Sequence, residues 1–423
     1  MTLSAGDPSP GAPRPAVRVR FAEFVALAAA MMATQALAID AMLPALPGIV
    51  RALGVANPNH GQWIVTAYMV GLGVGQLFWG MMADRFGRRP VLLCGLGLYV
   101  AAAILCGLAG GFHALLGWRF LHGMAAASAT VVRSSIRDLY SGRSMARVMS
   151  LSFMVFLMVP VLAPSIGQLV LAAASWRYIF IVCGLFAMVV AVWAWVRLPE
   201  TLHPEYRLVL RPAQIAAAVR LVLGERISIG YTLANTAMYG SLLSYVAMVQ
   251  QIFADVFHRP DKMPEMFALC AAFMGLAAFF NSRLVERLGM RLISHAALLA
   301  FIGITVLHFS VACLGSEPMW VFVGLQSATM ASFSLVMSNF GAMAMEPVGS
   351  VAGIAASLQG CISTGTGALI GALIGRGYHG STATLAGGAA LCGLITLMLV
   401  LVAERGRLFR RHHVGASDLG FVH

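Results

Sequence analysis

Along the chain, long apolar runs alternate with short polar turns. Runs of about 20 apolar residues are what a helix needs to cross a hydrocarbon core about 30 Å thick. Twelve such windows fall near 21–47, 61–83, 90–111, 113–135, 147–173, 176–198, 226–252, 264–284, 291–314, 318–345, 350–374 and 382–403. The runs are uniformly apolar and lack the ten-residue alternation of lipid-facing strands, so helices are expected and a barrel is not. The first run, from Phe21, lacks a small-residue cleavage site and is expected to stay as a helix, not to be removed as a signal peptide. The pattern predicts an all-α integral membrane protein with twelve transmembrane helices.

Composition supports lipid as the solvent. Of 423 residues, 60% are hydrophobic and only 10% charged, with a mean hydropathy of +0.84. Soluble domains carry roughly a quarter charged residues. The seven cysteines all lie in apolar stretches without Cys-x-x-Cys spacing, so neither a disulfide framework nor a metal site is expected.

The net charge of +12 raises the question of nucleic acid, which needs the cations gathered on one exposed stripe. They instead fall at intervals between apolar runs. With the N-terminus in the cytoplasm, the opposite side holds only Arg51, Arg177, Arg259, Lys262 and Arg376 of the 28 basic residues, and Arg119 lies within the membrane. The positive-inside rule therefore places both termini in the cytoplasm and leaves no nucleic-acid partner.

The order acid, Arg, apolar, Gly, x, Arg occurs twice. It reads Asp84-Arg85-Phe86-Gly87-Arg88-Arg89 after the second run and Glu286-Arg287-Leu288-Gly289-Met290-Arg291 after the eighth. A six-helix unit repeated in the same orientation accounts for this. The expected organisation is an N-terminal tail (1–20), a six-helix bundle (21–198), a cytoplasmic linker (199–225), a second six-helix bundle (226–403) and a basic cytoplasmic tail (404–423).

The stretch from Gly80 to Pro90 suits a tight turn between two helices. Gly80 allows close helix approach, Asp84 can pair with Arg, Gly87 tolerates a left-handed turn and Pro90 starts the next helix. It resembles the signature loop of the major facilitator superfamily. That resemblance implies a gating loop formed by Gly80, Asp84, Arg85, Gly87 and Arg88.

Further stretches narrow the branch: Ile39-Asp40-Ala41-Met42-Leu43-Pro44, Arg119-Phe120-Leu121-His122-Gly123, Arg137-Asp138-Leu139-Tyr140, Leu162-Ala163-Pro164-Ser165-Ile166-Gly167 and Pro199-Glu200-Thr201-Leu202. They resemble the bicyclomycin and chloramphenicol resistance (Bcr/CflA) drug:proton antiporters. The matches cover the N-terminal half closely and the C-terminal half mainly by helix pattern.

Arg119 lies several residues inside an apolar helix, where a guanidinium costs at least a few kcal/mol unless it finds a polar cavity or a partner. Facing a central cavity and snorkelling to the near interface are the two readings. The resemblance implies the first, with a role in proton coupling and substrate binding. Asp40 is the one acid well inside the N-terminal spans. It is either a proton-exchanging carboxylate balanced between burial and Arg119 or a turn aspartate preceding Pro44. Some members of the resembled family carry a further acid two turns earlier, where this chain has Met31 and Met32.

Pro160, Pro164 and Gly167 predict a bend in the fifth helix, serving either antiport or simple packing. Gln35 and Tyr239 are intramembrane polar residues that line a cavity or join helices. No His-Glu-x-x-His, Gly-x-Ser-x-Gly or Walker-type sequence is present, so an enzyme is not expected.

The expected function is secondary active transport, as proton-coupled efflux of small amphipathic compounds by alternating access. A metabolite facilitator or symporter and a membrane solute sensor are the alternatives. The expected partners are a small-molecule substrate, protons and the bilayer, with the chain a monomer and the proton gradient, not a cofactor, as energy source. A single lysine among 28 basic residues suggests a high-GC bacterial genome and an inner-membrane location.

Overall fold

The computed structural model describes residues 20–140, 142–203, 205, 212–315 and 317–409. Most of both expected tails, 1–20 and 404–423, lies outside the described residues, as does part of the linker. No β-strand occurs among the described residues. Among the described residues the helices form twelve long passes, each overlapping one expected run.

These passes are α1 (Phe21–Asp40), α2 (Gln62–Phe86), α3 (Arg88–Gly107) and α4, which runs as Phe112–Ala126, Ala127–Thr130 and Val131–Leu139. Then come α5 (Gly142–Ala173), α6 (Arg177–Arg197), α7 (Arg226–Gln251), α8 (Met263–Leu288), α9 (Met290–Cys313) and α10 (Met319–Met345). The last are α11, running as Ala352–Cys361, Ile362–Thr366 and Gly367–Arg376, and α12 (Ala383–Ala403). A separate helix, Pro212–Gly224, lies within the linker.

Among the described residues, nine helices are long and apolar enough to cross a membrane; α4 and α7 are more polar, and α5 is described in full only over its second part, Leu162–Ala173. For α7 the reason is its surroundings. Protein covers most of its length, and Ser228, Thr232, Asn235, Thr236, Ser241 and Ser244 are all buried in it. A helix shielded from lipid by its neighbours can be polar. Lipid-exposed α6 and α12 are the opposite, with Leu185, Val189, Trp195, Leu391, Met398 and Val402 on the surface.

The packing repeats with a shift of six helices. α1 lies against α5 and α6, α2 against α4, and α3 against α4 and α6. Correspondingly α7 lies against α11 and α12, α8 against α10, and α9 against α10 and α12. The halves meet through α2 on α11 and α5 on α8, which the same shift exchanges, so the contact has approximate two-fold symmetry. The twin turns also recur: Gly87 (φ 103°) ends α2 and opens α3, and Gly289 (φ 83°) ends α8 and opens α9. Both positive φ values are ones that glycine adopts without a Cβ penalty.

Candidate functional site

The backbones of α2 and α4 are pressed together. A Cβ on Gly123 would stand 1.8 Å from the Tyr68 carbonyl oxygen, and one on Gly71 2.0 Å from that of Phe120. This close approach carries Arg119 into the interior, where none of its surface is exposed. Arg119 thus neither snorkels to the surface nor lines the cavity between the halves. Its Nε donates to the Ile64 carbonyl (3.3 Å), its Nη1 lies 3.2 Å from Nδ1 of His122, and its Cζ stands 4.3 Å above the Tyr68 ring and 5.6 Å from that of Phe180. Nη2 has no hydrogen-bond partner among the described residues.

The surrounding groups bind Arg119's neighbourhood to α1. Tyr68 donates to the Gln35 carbonyl (3.1 Å), Tyr99 donates to that of Thr34 (2.9 Å), and the Gln35 amide donates to the Ala126 carbonyl (2.9 Å). The His122 ring packs edge-on against Tyr99, with centroids 4.2 Å apart. Gln35 therefore joins α1 to α2 and α4.

Asp40 is the last residue of α1 and is 5% exposed. No hydrogen bond or ion pair to its side chain is found among the described residues. It does not cap the turn Leu43–Ala45, whose N-terminus has no side-chain cap. Arg119 and Asp40 form no ion pair, although Tyr68 lies within electrostatic range of both. Gly167 of α5 packs onto this end of α1: a Cβ there would stand 2.0 Å from the Ala41 carbonyl oxygen. α5 runs unbroken through Pro160 and Pro164. Pro164 is buried, and the Pro160 side chain lies outside the described residues.

The turn between α2 and α3 is tied to the ends of α4 and α6. Arg88 is buried and pairs with Asp84 and, through Nε, with Asp138 (3.1 Å). Oε1 of Glu200 accepts from the backbone amides of Arg88 (2.8 Å), Thr201 (3.0 Å) and Leu202 (3.0 Å). The hydroxyl of Thr201 donates to Asp138 (3.3 Å). Arg85 is exposed and lies over the Phe86 ring.

Gly80 faces the other half, where its Cβ would stand 2.4 Å from Oγ of Ser357. Next to it, a cavity of about 280 Å³ lies between α2, α4, α5 and α11, lined among others by Gln76, Asp84, Arg133, Arg137 and Ser357. Tyr239 of α7 lies within electrostatic range of Arg133.

The structure thus gathers Gln35 and Arg119 in one bundle and Asp84, Gly87 and Arg88 in one turn. It adds residues to which sequence reading gave no role: Tyr68, Tyr99 and His122 around Arg119, and Asp138, Glu200 and Thr201 around Arg88. Asp138 and Glu200 were visible as acids just beyond helix ends. Nothing in a single sequence paired them with Arg88.

Two six-helix halves in parallel repeat, a seam between them and buried charges within apolar helices define a polytopic membrane transporter. The chain belongs to the Major Facilitator Superfamily, whose profile matches residues 25–372. It is 30% identical over 343 residues to a bicyclomycin resistance protein homolog of Haemophilus influenzae, covering 79% of this chain and 84% of the relative. It is also 30% identical over 357 residues to a chloramphenicol resistance protein of Pseudomonas aeruginosa, covering 80% and 81%. Its fold is similar to that of the E. coli xylose transporter XylE in a partially occluded inward-open conformation. That match has a TM-score of 0.72 and 11% identity, covering 92% of this chain and 98% of the other. The chain is therefore a multi-pass membrane protein that handles a small molecule, not an enzyme.

Proposed function

We propose that this protein is a proton-driven exporter of small amphipathic compounds, with the half 1–200 rocking against 221–423. The observation that carries the reading is Asp40, a carboxylate shut inside the N-terminal half without a partner among the described residues. Burial without a partner disfavours a carboxylate's charged form, and access to water restores it. A group of this kind exchanges a proton as its pocket opens and closes, which is what coupling requires. Two relatives whose names record resistance to bicyclomycin and to chloramphenicol support export of foreign compounds.

In this reading Asp40 carries the proton. Arg119, fixed by His122, Tyr68 and the Ile64 carbonyl, supplies a positive charge in the same bundle that favours release of the proton. Gln35 holds α1 to α4 while this happens, and Tyr239 contributes to the cavity from the second half. Asp84, Arg85, Gly87 and Arg88, with Gly80 at the seam, latch the cytoplasmic side. Pro160, Pro164 and Gly167 let α5 follow the end of α1. The chain works as a monomer in a bacterial inner membrane with both termini in the cytoplasm, and the proton gradient supplies the energy without a cofactor.

The test is accumulation of a panel of neutral, cationic and anionic fluorescent amphiphiles in cells expressing wild type, Asp40→Asn or Arg119→Ala. Wild type should exclude at least one of them, a protonophore should abolish the exclusion, and both variants should lose it at normal membrane levels. Equal accumulation of every dye in all strains would overturn the export reading in favour of a dedicated metabolite carrier.

A further inference from the structure

The cavity between the halves carries a charge imbalance. Its lining includes three arginines, Arg88, Arg133 and Arg137, against one acid, Asp84. Asp84 is already paired with Arg88, which also pairs with Asp138 outside the lining. Arg133 and Arg137 have no ion pair or hydrogen bond among the described residues. They lie one turn apart on α4 and so project from one face of it. Both side chains are exposed, and the surface they expose includes the cavity wall.

Among the described residues the cavity lining supplies no acid besides the paired Asp84. α2 presents Gln76, Gly80 and the paired Asp84, and α11 presents Ala352, Gly353, Ala356 and Ser357. Outside the lining, Tyr239 of α7 lies within electrostatic range of Arg133. The floor is therefore cationic, and the rest is hydroxyl, amide and small apolar surface. Two guanidiniums facing one cavity, with no counter-ion among the described residues, offer an anion a place to bind.

We infer that this cavity is an anion-binding subsite and that the compounds carried are amphiphiles bearing an acidic group, a carboxylate in the simplest case. Arg133 receives the acid, Arg137 reinforces it from the cytoplasmic turn, and the apolar part of the ligand lies against Ala352, Ala356 and Val131. A cationic amphiphile is repelled by the same pair. The assignment rests on the export reading for its direction, and an inside-negative potential favours outward movement of such an anion. The binding chemistry itself does not depend on that direction.

The test compares a dansyl-labelled fatty acid with its methyl ester, bound to purified protein in neutral detergent without any gradient. Wild type should prefer the acid at least tenfold, the scale of one charge-assisted hydrogen bond. In Arg133→Gln the preference should fall toward unity, Arg133→Lys should keep most of it, and Arg137→Gln should reduce it less. Equal binding of acid and ester by wild type, absence of binding by either, or a preference intact in Arg133→Gln would overturn the inference. So would displacement of the acid by phosphatidylglycerol at equal mole ratio, which assigns the site to a bilayer lipid. Acid preference without protonophore-sensitive export would overturn the export reading alone. Proton-driven export of the ester as fast as the acid would overturn the anion subsite alone.

Discussion

Nη1 of Arg119 lies 3.2 Å from Nδ1 of His122, one helical turn further along α4. Arginine can only donate, so Nδ1 is the acceptor and the imidazole carries its proton on Nε2. Both side chains are wholly buried. The histidine therefore acts as a neutral acceptor that orients the guanidinium.

Replacing His122 by Phe should leave that guanidinium short of an acceptor. A hydrogen bond to a charged group is worth about 1.5–3 kcal/mol, so initial export rates in proteoliposomes should fall by about tenfold or more. His122→Asn places a carbonyl oxygen near the position of Nδ1 and should retain a large part of the rate. Equal rates for Phe and wild type would show that His122 only fills space.

The two turn glycines should respond differently to alanine. At Gly87 (φ 103°, ψ 160°) a residue with a Cβ costs about 1–3 kcal/mol, and that Cβ would stand 2.4 Å from Glu200 Oε2. The carboxylate is not free to retreat, because its other oxygen accepts from three backbone amides. At Gly289 nothing lies within 4 Å of the added carbon. Gly87→Ala should therefore lower thermal stability in detergent more than Gly289→Ala. Combined with Glu200→Ala, which removes the collision, its effect should be less than additive. Equal losses at both glycines would remove Glu200 from the account.

The twelve passes and the repeat were legible because both write themselves into local pattern: the first as run length, the second as Gly87 and Gly289 in matching hexapeptides. Arg119 was legible as an anomaly, a charge where charges are costly. What packs around it was not, since Tyr68, Tyr99 and His122 look like ordinary members of apolar helices until α2, α3 and α4 are brought together. Asp40 and Arg119 both stood out, yet the sequence offered no way to tell that they form no ion pair in this conformation. The unpaired Arg133 was hidden for the opposite reason. In sequence it is one more cation counted for topology, and only the fold places it on a cavity wall shared with α2 and α11.

Contact between the halves is close enough along α2 and α11 that a small side chain should shift it. A Cβ on Gly73 would stand 2.7 Å from the backbone nitrogen of Gly365 and 3.0 Å from the Cys361 carbonyl. Neither is a side chain that can turn away. On the same seam Asn59 donates to the Tyr378 carbonyl (2.9 Å) and Gln62 donates to Gln251 (2.9 Å). Gly73→Val should separate these pairs. Spin labels at positions 59 and 378, in a background lacking the seven native cysteines, should report a longer distance than in the glycine parent. An unchanged distance would mean that the seam yields elsewhere.

Acid should loosen the end of the second half where α7, α9 and α12 meet. Glu404, just beyond α12, accepts from Arg291 (2.9 Å) and from the Tyr231 hydroxyl (2.8 Å). Burial pushes its carboxyl up, but those hydrogen bonds and the nearby Arg291 charge outweigh it, and the pKa is held below the ordinary glutamate value of 4.5. A depressed carboxylate contributes stability that is complete above the unfolded value and is lost as pH falls through the folded one. Melting curves of wild type and Glu404→Gln should therefore differ most above pH 4.5 and converge below it, where the wild-type carboxyl takes up a proton and resembles the amide. A difference that persisted unchanged into acid would show that the ion pair with Arg291 contributes nothing linked to charge.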